Sequence, residues 1–190
     1  MGIARKKAEL RQAFDVSEEG DYTAICAGDI YGFIPEACEL VFRGDNKINS
    51  ALGTVDGDRF LEYLEYYLCP TLGNYARGEP RSLVIIDNVR FHQKLEVKRL
   101  INATGAELLF TARYSPDKNP IEYYFSVYKQ SLKRYLGSIS ALKRHQACIT
   151  CVSEETARNT FAHCGYPLVE KNDVDGAVVA AVLAALQYFD

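Results

Sequence analysis

Two carboxylates, Asp87 and Glu122, are the residues best suited to chemistry, and 34 residues lie between them. Mg²⁺ prefers oxygen ligands and is usually held by one or two protein carboxylates together with water and phosphate oxygens. A carboxylate pair in one cleft therefore suits phosphoryl transfer, in which two ions about 3.5–4 Å apart activate the attacking hydroxyl and stabilise the leaving oxygen. Such a site normally needs at least one further carboxylate.

The elements around Asp87 predict that it lies at the edge of a sheet. Residues 83–86 are apolar without alternation, as in a strand covered on both faces, and Asp87 follows them. Residues 95–101 read as a helix with Gly105 just past its end, and residues 107–110 as a second buried strand. Together they predict a right-handed parallel βαβ unit, whose carboxyl-terminal edge is where open α/β sheets present ligands.

A second helix is predicted to carry Glu122 in its first turn, so that Asp87 and Glu122 face one cleft. Asn119 would be its N-cap and Pro120 its first residue. Its apolar face would comprise Ile121, Phe125, Tyr128 and Leu132. A non-catalytic interpretation stays open: Asp87 as a turn residue, and Asn119 with Glu122 as a capping-box-like pair.

The rest of the chain is predicted to complete one domain over residues 21–190, after a flexible segment at 1–20. Residues 22–42 fit a hairpin, and a helix N-capped by Asp56 would run until Pro70. Helices are predicted around 154–161 and from Asp173 to the C-terminus, so residues 137–190 read as a helical extension. The chain has 190 residues and is 48% hydrophobic, which suits a single globular core.

The net charge of −3 argues against a general nucleic-acid binder, so any DNA contact would come from a local basic patch. The candidate patch consists of Arg113, Lys118, Lys129, Lys133 and Arg134. The last three share the polar face of the Glu122 helix, where they would either contact phosphates or be its solvated face. Neither a signal peptide nor a stretch long enough to span a bilayer is visible, which predicts an intracellular protein without membrane contact.

A zinc site is a weaker hypothesis. Cys148 and Cys151 form a Cys-x-x-Cys, with His145 upstream and His163-Cys164 downstream. His163 and Cys164 are adjacent rather than spaced, and Cys148 with Cys151 equally suits one face of a helix. A zinc-binding interaction module is therefore a third hypothesis, weaker than the two given at the end of this section.

Two motifs resemble a known family. Asp87-Asn88 followed by His92, and then the stretch from Tyr114 to Glu122, resemble the paired signature of DDE-type transposases of the mariner-like superfamily and related bacterial insertion-sequence enzymes. The second motif reads Tyr-Ser-Pro-Asp-Lys-Asn-Pro-Ile-Glu, and a weaker likeness extends to Phe161, Cys164, Gly165 and Tyr166.

The resemblance implies an α/β, ribonuclease H-like fold: a mixed sheet with flanking helices, here lacking its first strand. It implies Mg²⁺ or Mn²⁺ as cofactor, DNA strand cleavage and transfer, DNA as partner at transposon ends and target, a possible homodimer and no small-molecule substrate. The location would be the nucleus in a eukaryote or the cytoplasm in a bacterium. Asp87 and Glu122 would be catalytic, metal-binding carboxylates. The supporting motif residues would be Asn88, His92, Tyr114, Ser115, Pro116, Asn119 and Pro120.

The chain departs from the family at the first catalytic Asp, which members carry on a strand upstream of the hairpin. Asp29 lies on a strand-like run, but only 57 residues separate it from Asp87, and Asp15 and Asp21 lie in loop-like sequence. No N-terminal helix-turn-helix is visible, and Thr111-Ala112-Arg113 replaces the usual Leu-Pro-Pro. Two hypotheses follow: an active transposase core, or an inactive transposase-derived fragment that binds nucleic acid or protein. We favour the second for this polypeptide and the first for its family.

Overall fold

The computed structural model describes residues 22–42, 55–87, 94–112, 115–135, 140–166 and 178–188, so the segment 1–20 predicted to be flexible lies outside the described residues. A five-stranded mixed sheet forms its centre, with strand order β2-β1-β5-β3-β4. The strands are β1 (Tyr22–Asp29), β2 (Gly32–Phe42), β3 (Leu83–Ile86), β4 (Glu107–Phe110) and β5 (Val178–Tyr188). β1 is antiparallel to β2 and β5, whereas β3 is parallel to β4 and β5.

The predicted hairpin is confirmed as β1 and β2, with its turn at Ile30 and Tyr31. Pro35 lies inside β2. β2 is an edge strand, and Pro35 lies where its pairing with β1 is irregular, between the pairs Cys26–Cys38 and Gly28–Phe33, which suits a residue that has no N–H.

Two helices cover one face of the sheet. Helix α1 (Gly57–Tyr63) begins at Asp56, whose side chain accepts a 2.9 Å hydrogen bond from the Arg59 N–H, as predicted. It continues into a π-helical turn (Leu64–Leu68) that the sequence did not reveal and a 3-10 turn at Cys69–Thr71. Helix α2 (Lys94–Ala103) joins β3 to β4, which confirms the parallel βαβ unit. The side chains that these helices pack on the sheet are Phe60, Tyr63, Leu64, Leu68, Val97 and Ile101.

Three helices cover the opposite face: α3 (Pro120–Arg134), α4 (Ala141–Cys148) and α5 (Glu154–His163). Tyr124 packs α3 closely against β1. Its ring lies so near Gly28 that a Cβ at this position would be only 2.6 Å from a ring carbon. The Tyr124 hydroxyl also donates a 2.6 Å hydrogen bond to the carbonyl of Asp29. This close packing fixes the position of the helix that carries Glu122. The mixed α/β architecture with flanking helices is therefore confirmed.

The predicted C-terminal helix is wrong, because Val178–Tyr188 is strand β5 at the centre of the sheet. A continuous apolar run does not distinguish a buried helix from a buried strand by its periodicity. Here β1 and β3 offer backbone hydrogen-bonding partners on both sides, and the strand satisfies them. Among its described residues, the region 137–190 thus contributes two helices and the central strand of the sheet.

Among the residues that the structure describes, no helix is long and apolar enough to cross a membrane.

Candidate metal-binding site at the carboxyl edge of the sheet

Asp87 lies where predicted, directly after β3, and Thr111 lies directly after the neighbouring strand β4. The Thr111 N–H donates a 3.0 Å hydrogen bond to the carbonyl of Ile86, which extends the parallel pairing by one step. This pairing places the two side chains next to each other, and the Thr111 hydroxyl donates a 3.1 Å hydrogen bond to Oδ1 of Asp87. Thr111 is therefore a site residue that the sequence analysis did not identify.

Asn119 makes the second contact with Asp87. It is fully buried, and its Nδ2 donates a hydrogen bond to the same Oδ1. Asn119 is the N-cap of α3 by position and Pro120 is its first residue, as predicted, but the Asn119 side chain makes no capping hydrogen bond. The capping-box interpretation is thus wrong. The Glu122 N–H instead donates to the backbone carbonyl of Asn119, at 3.2 Å.

Glu122 lies in the first turn of α3 and is half-buried. Burial raises the pKa of its carboxyl above the ordinary value, the negative charge of Asp87 adds to the rise, and Lys129 opposes it. The negative charges of the two carboxylates therefore oppose each other. A cation or a proton at this place would relieve that repulsion.

The donor set fits one hard divalent cation. Asp87 and Glu122 supply carboxylate oxygens, and one or two carboxylates with water and substrate oxygens are the usual ligands of Mg²⁺. The Oδ1 atom of buried Asn119 has no hydrogen-bond partner within the described structure, so one more oxygen at this site is unused. Within the described ranges, no group of three or more His, Cys, Asp or Glu side chains could hold a metal ion together.

Asp29 does not belong to this site. Its two carboxylate oxygens accept hydrogen bonds from the Arg81 Nε and the Tyr31 N–H, both at 2.8 Å, and Asp29 is buried in this arrangement. In the sheet Asp29 is level with Val179, whereas extending the β3–β5 register by two residues places Asp87 level with Val182. Three residues along a strand correspond to about 10 Å. Val182, the residue of β5 level with Asp87, is apolar and therefore supplies no further carboxylate.

Four of the five predicted basic residues are described, and all four are exposed. Lys129, Lys133 and Arg134 are exposed on α3, and Lys129 is close enough to lower the pKa of Glu122. Lys118 is exposed and forms a 3.6 Å ion pair with Asp117. Ser115 precedes a 3-10 turn, Pro116–Lys118, that leads into α3. The other predicted residues, Asn88, His92, Arg113 and Tyr114, lie outside the described residues.

Tyr166 supports this loop from the far end of the chain. Its hydroxyl donates a 2.9 Å hydrogen bond to the carbonyl of Lys118, and its ring packs edge-to-face against Phe161. Burial raises the pKa of Tyr166, and Cys164 and Asp87 raise it further. The closing Phe-x-x-Cys-Gly-Tyr segment therefore holds the 3-10 turn Pro116–Lys118, which directly precedes Asn119. Its likeness to the family was the only signal in the sequence that pointed to Tyr166.

The zinc hypothesis is not supported by the positions of its residues, all of which the structure describes. The Nδ1 atom of buried His145 lies 2.8 Å from the Tyr128 hydroxyl, and the His163 ring packs edge-to-face on Tyr123. Cys148 and Cys151 form no three-membered metal-binding group with either histidine.

A carboxylate pair at the carboxyl edge of a helix-flanked mixed sheet is an arrangement suited to holding a hard cation. The family described as DDE superfamily endonuclease matches residues 43–146, which is more than half of the 190 residues. The chain belongs to the DDE superfamily endonuclease family. No match was found among curated proteins or among solved structures.

Proposed function

We propose that this chain forms the cation-binding part of a transposase-type site that cleaves and transfers DNA strands, with Asp87 and Glu122 as ligands of Mg²⁺ or Mn²⁺. The observation that carries the proposal is the convergence of Thr111 and Asn119 on Oδ1 of Asp87, beside a second carboxylate that Asp87 influences. Family membership supplies the chemistry that such a pair would serve.

The roles of the side chains follow from these contacts. The described hydrogen bonds of Asp87 end on Oδ1, which leaves Oδ2 for the cation. Glu122 is held by the first turn of α3, which Tyr124 seats against Gly28. A bound Mg²⁺ or Mn²⁺ would polarise the scissile phosphate and activate the attacking oxygen. Thr111 and Asn119 fix the orientation of the Asp87 carboxylate, as groups hydrogen-bonded to metal ligands commonly do.

The DNA backbone is proposed to lie along the exposed side of α3. Lys129, Lys133 and Arg134 are exposed there, and Lys129 lies within electrostatic reach of Glu122. Contacts with phosphates would make DNA affinity fall as salt is added. We also assign the chain to the mariner-like branch with a ribonuclease H-like sheet, on the strength of its Asp-Asn and Asn-Pro-Ile-Glu motifs. A homodimer on DNA belongs to the same proposal.

Plasmid nicking tests the proposed activity. Purified full-length chain is incubated with supercoiled plasmid and Mn²⁺ or Mg²⁺, and compared with Asp87→Asn, Glu122→Gln and the exposed control Asp117→Asn. The activity predicts nicking by the wild type and the control but not by the two site variants. Absence of nicking at every metal concentration, or equal nicking by Asp87→Asn, would exclude it.

A second candidate is a catalytically silent domain that binds DNA without cleaving it. It is favoured by one observation: the described residues provide two carboxylates at the site, while Asp29 is committed to Arg81. This candidate predicts salt-sensitive retention of labelled DNA, weakened by Lys129→Gln and Lys133→Gln, with the plasmid intact. Retention that is insensitive to salt and to these substitutions would count against it.

A further inference from the structure

The β1–β2 hairpin places two cysteines opposite each other. Cys26 of β1 and Cys38 of β2 are direct partners in the antiparallel register. Their side chains project from the same face of the sheet and pack with the same apolar cluster. Residues directly opposite in such a pair have Cβ atoms about 4.5–5.5 Å apart. A disulfide needs about 3.5–4.5 Å, so a small movement of the edge strand is enough to join them.

Both cysteines are free thiols that pack against the same apolar cluster. The Cys38 thiol also donates a long, 3.9 Å hydrogen bond to the carbonyl of Ala27. The register and the shared cluster therefore place the two thiols side by side on one face of the hairpin, where a bridge would form.

The pair differs in its access to solvent. Cys26 is fully buried, whereas Cys38 is partly exposed on the edge strand β2. Burial raises the pKa of Cys26 well above its ordinary value, so its thiolate is scarce at neutral pH. A reagent in solution would accordingly meet Cys38 first, and Cys26 would act second.

We propose that Cys26 and Cys38 form a reversible oxidation site that closes into a cross-strand disulfide when the protein meets hydrogen peroxide. The Cys38 sulfur attacks one peroxide oxygen, the O–O bond breaks, and a sulfenic acid and one water are formed. The Cys26 sulfur then attacks the Cys38 sulfur, the S–O bond breaks, and the hydroxyl leaves as a second water with the Cys26 proton. Two thiols are oxidised and one peroxide is reduced to two waters.

The disulfide would act on the fold rather than on the cation-binding site. It would close a loop of residues 27–37 and fix the pairing of β1 with β2, next to the central strand β5. The cysteines lie in the apolar cluster under α3, so the inference stands independently of the proposed function. Because closing a loop limits the unfolded chain, the oxidised protein should unfold at a higher temperature, by roughly 5–10 °C.

Peptide mapping tests the proposal. Reduced full-length protein is treated with a small excess of hydrogen peroxide, remaining thiols are alkylated, and the digest is analysed by mass spectrometry without reduction. We expect a peptide pair joining Cys26 to Cys38, which dithiothreitol separates, while Cys69 and Cys164 are alkylated. If Cys38 proceeds to sulfinic acid without a linked peptide, or if both thiols are alkylated after treatment, the proposal is overturned.

Thermal unfolding with a matched variant gives a second readout. Cys38→Ser changes the partly exposed member of the pair and so preserves the packing of buried Cys26. Peroxide should raise the unfolding temperature of the wild type but not of Cys38→Ser. An equal rise in both proteins would mean that the Cys26–Cys38 bridge is not its cause, and would contradict the proposal.

Discussion

Asn119 begins helix α3 but donates its side-chain amide hydrogen to Oδ1 of Asp87 instead of capping that helix. An asparagine at an N-cap ordinarily satisfies one of the free N–H groups of the first turn. Its use here connects the end of strand β3 with the start of the helix that carries Glu122. Asn119 therefore links the two elements that carry the carboxylates, and we expect its replacement to weaken cation binding.

Replacing Asn119 with leucine tests this connection. Leucine shares the branched shape of asparagine at Cγ and is apolar, as a buried position favours, but it cannot donate to Asp87. We expect Mn²⁺ affinity, measured by isothermal titration calorimetry, to fall about tenfold, because partners of metal ligands commonly contribute this much. The control is Asn102→Leu on the exposed side of α2. Equal Mn²⁺ affinity in Asn119→Leu and the wild type would show that this hydrogen bond does not organise the site.

Thr111 is predicted to matter through its hydroxyl alone. Thr111→Val keeps the shape of the side chain but removes the 3.1 Å hydrogen bond to Asp87, whereas Thr111→Ser keeps the hydroxyl. Mn²⁺ affinity should fall about tenfold or more in the valine variant, by roughly the value of one hydrogen bond to a charged group, and recover in the serine variant. The idea fails if serine and valine weaken binding equally, since packing rather than the hydroxyl would then be responsible.

His145 makes the fold sensitive to acid. Burial lowers its pKa from 6.5 to about 4, so the folded state binds this proton less readily than the unfolded state does. The stability that neutral His145 contributes to the folded state is fully present above pH 6.5. It is lost as the pH falls toward 4, which lowers the free energy of unfolding by on the order of 3 kcal/mol.

Urea unfolding between pH 7 and pH 4 measures that loss. The free energy of unfolding should fall more steeply with acid in the wild type than in His145→Gln, which cannot titrate. His163→Gln, at an exposed position, should behave like the wild type. Parallel curves for the wild type and His145→Gln would refute this assignment.

Strand β5 is predicted to be required for folding. It is the shared partner of β1 and β3, so its removal leaves two unpaired strand edges in the middle of the sheet. A chain ending after Tyr166 should lose its cooperative unfolding transition and aggregate, while a chain ending after Tyr188 should unfold like the wild type. Cooperative unfolding of the shorter chain at an unchanged temperature would place β5 outside the stable core.

Local sequence patterns predicted most of the elements, because their signals are local. The apolar run ending at Asp87, the Asn119-Pro120 helix start and the Asp56 N-cap each depend on a few neighbouring residues. The prediction of a C-terminal helix was wrong because the conformation of that segment depends on β1 and β3, which lie far away in the sequence. An apolar run that contains no Gly, Pro or helix-capping residue adopts the structure that its tertiary contacts favour.

The candidate site was only partly predictable for the same reason. Asp87 and Glu122 follow from strand and helix ends, which sequence indicates well. Thr111 is recognisable only once the β3–β4 register places it beside Asp87, and Tyr166 only once the chain returns to Lys118. Asp29 could be excluded as a metal ligand only once its ion pair with Arg81 was seen. That contact joins residues 52 positions apart in the sequence.

Mn²⁺ titration of the wild type, Asp87→Asn, Glu122→Gln and the exposed control Asp117→Asn tests the central claim most directly. Calorimetry reports binding whether or not the chain cleaves DNA, so it separates the cation site from catalysis. The account predicts that the wild type and Asp117→Asn bind Mn²⁺ equally and that each site variant binds at least about tenfold more weakly. Unchanged Mn²⁺ affinity in both Asp87→Asn and Glu122→Gln would contradict the assignment of these two carboxylates as the metal ligands.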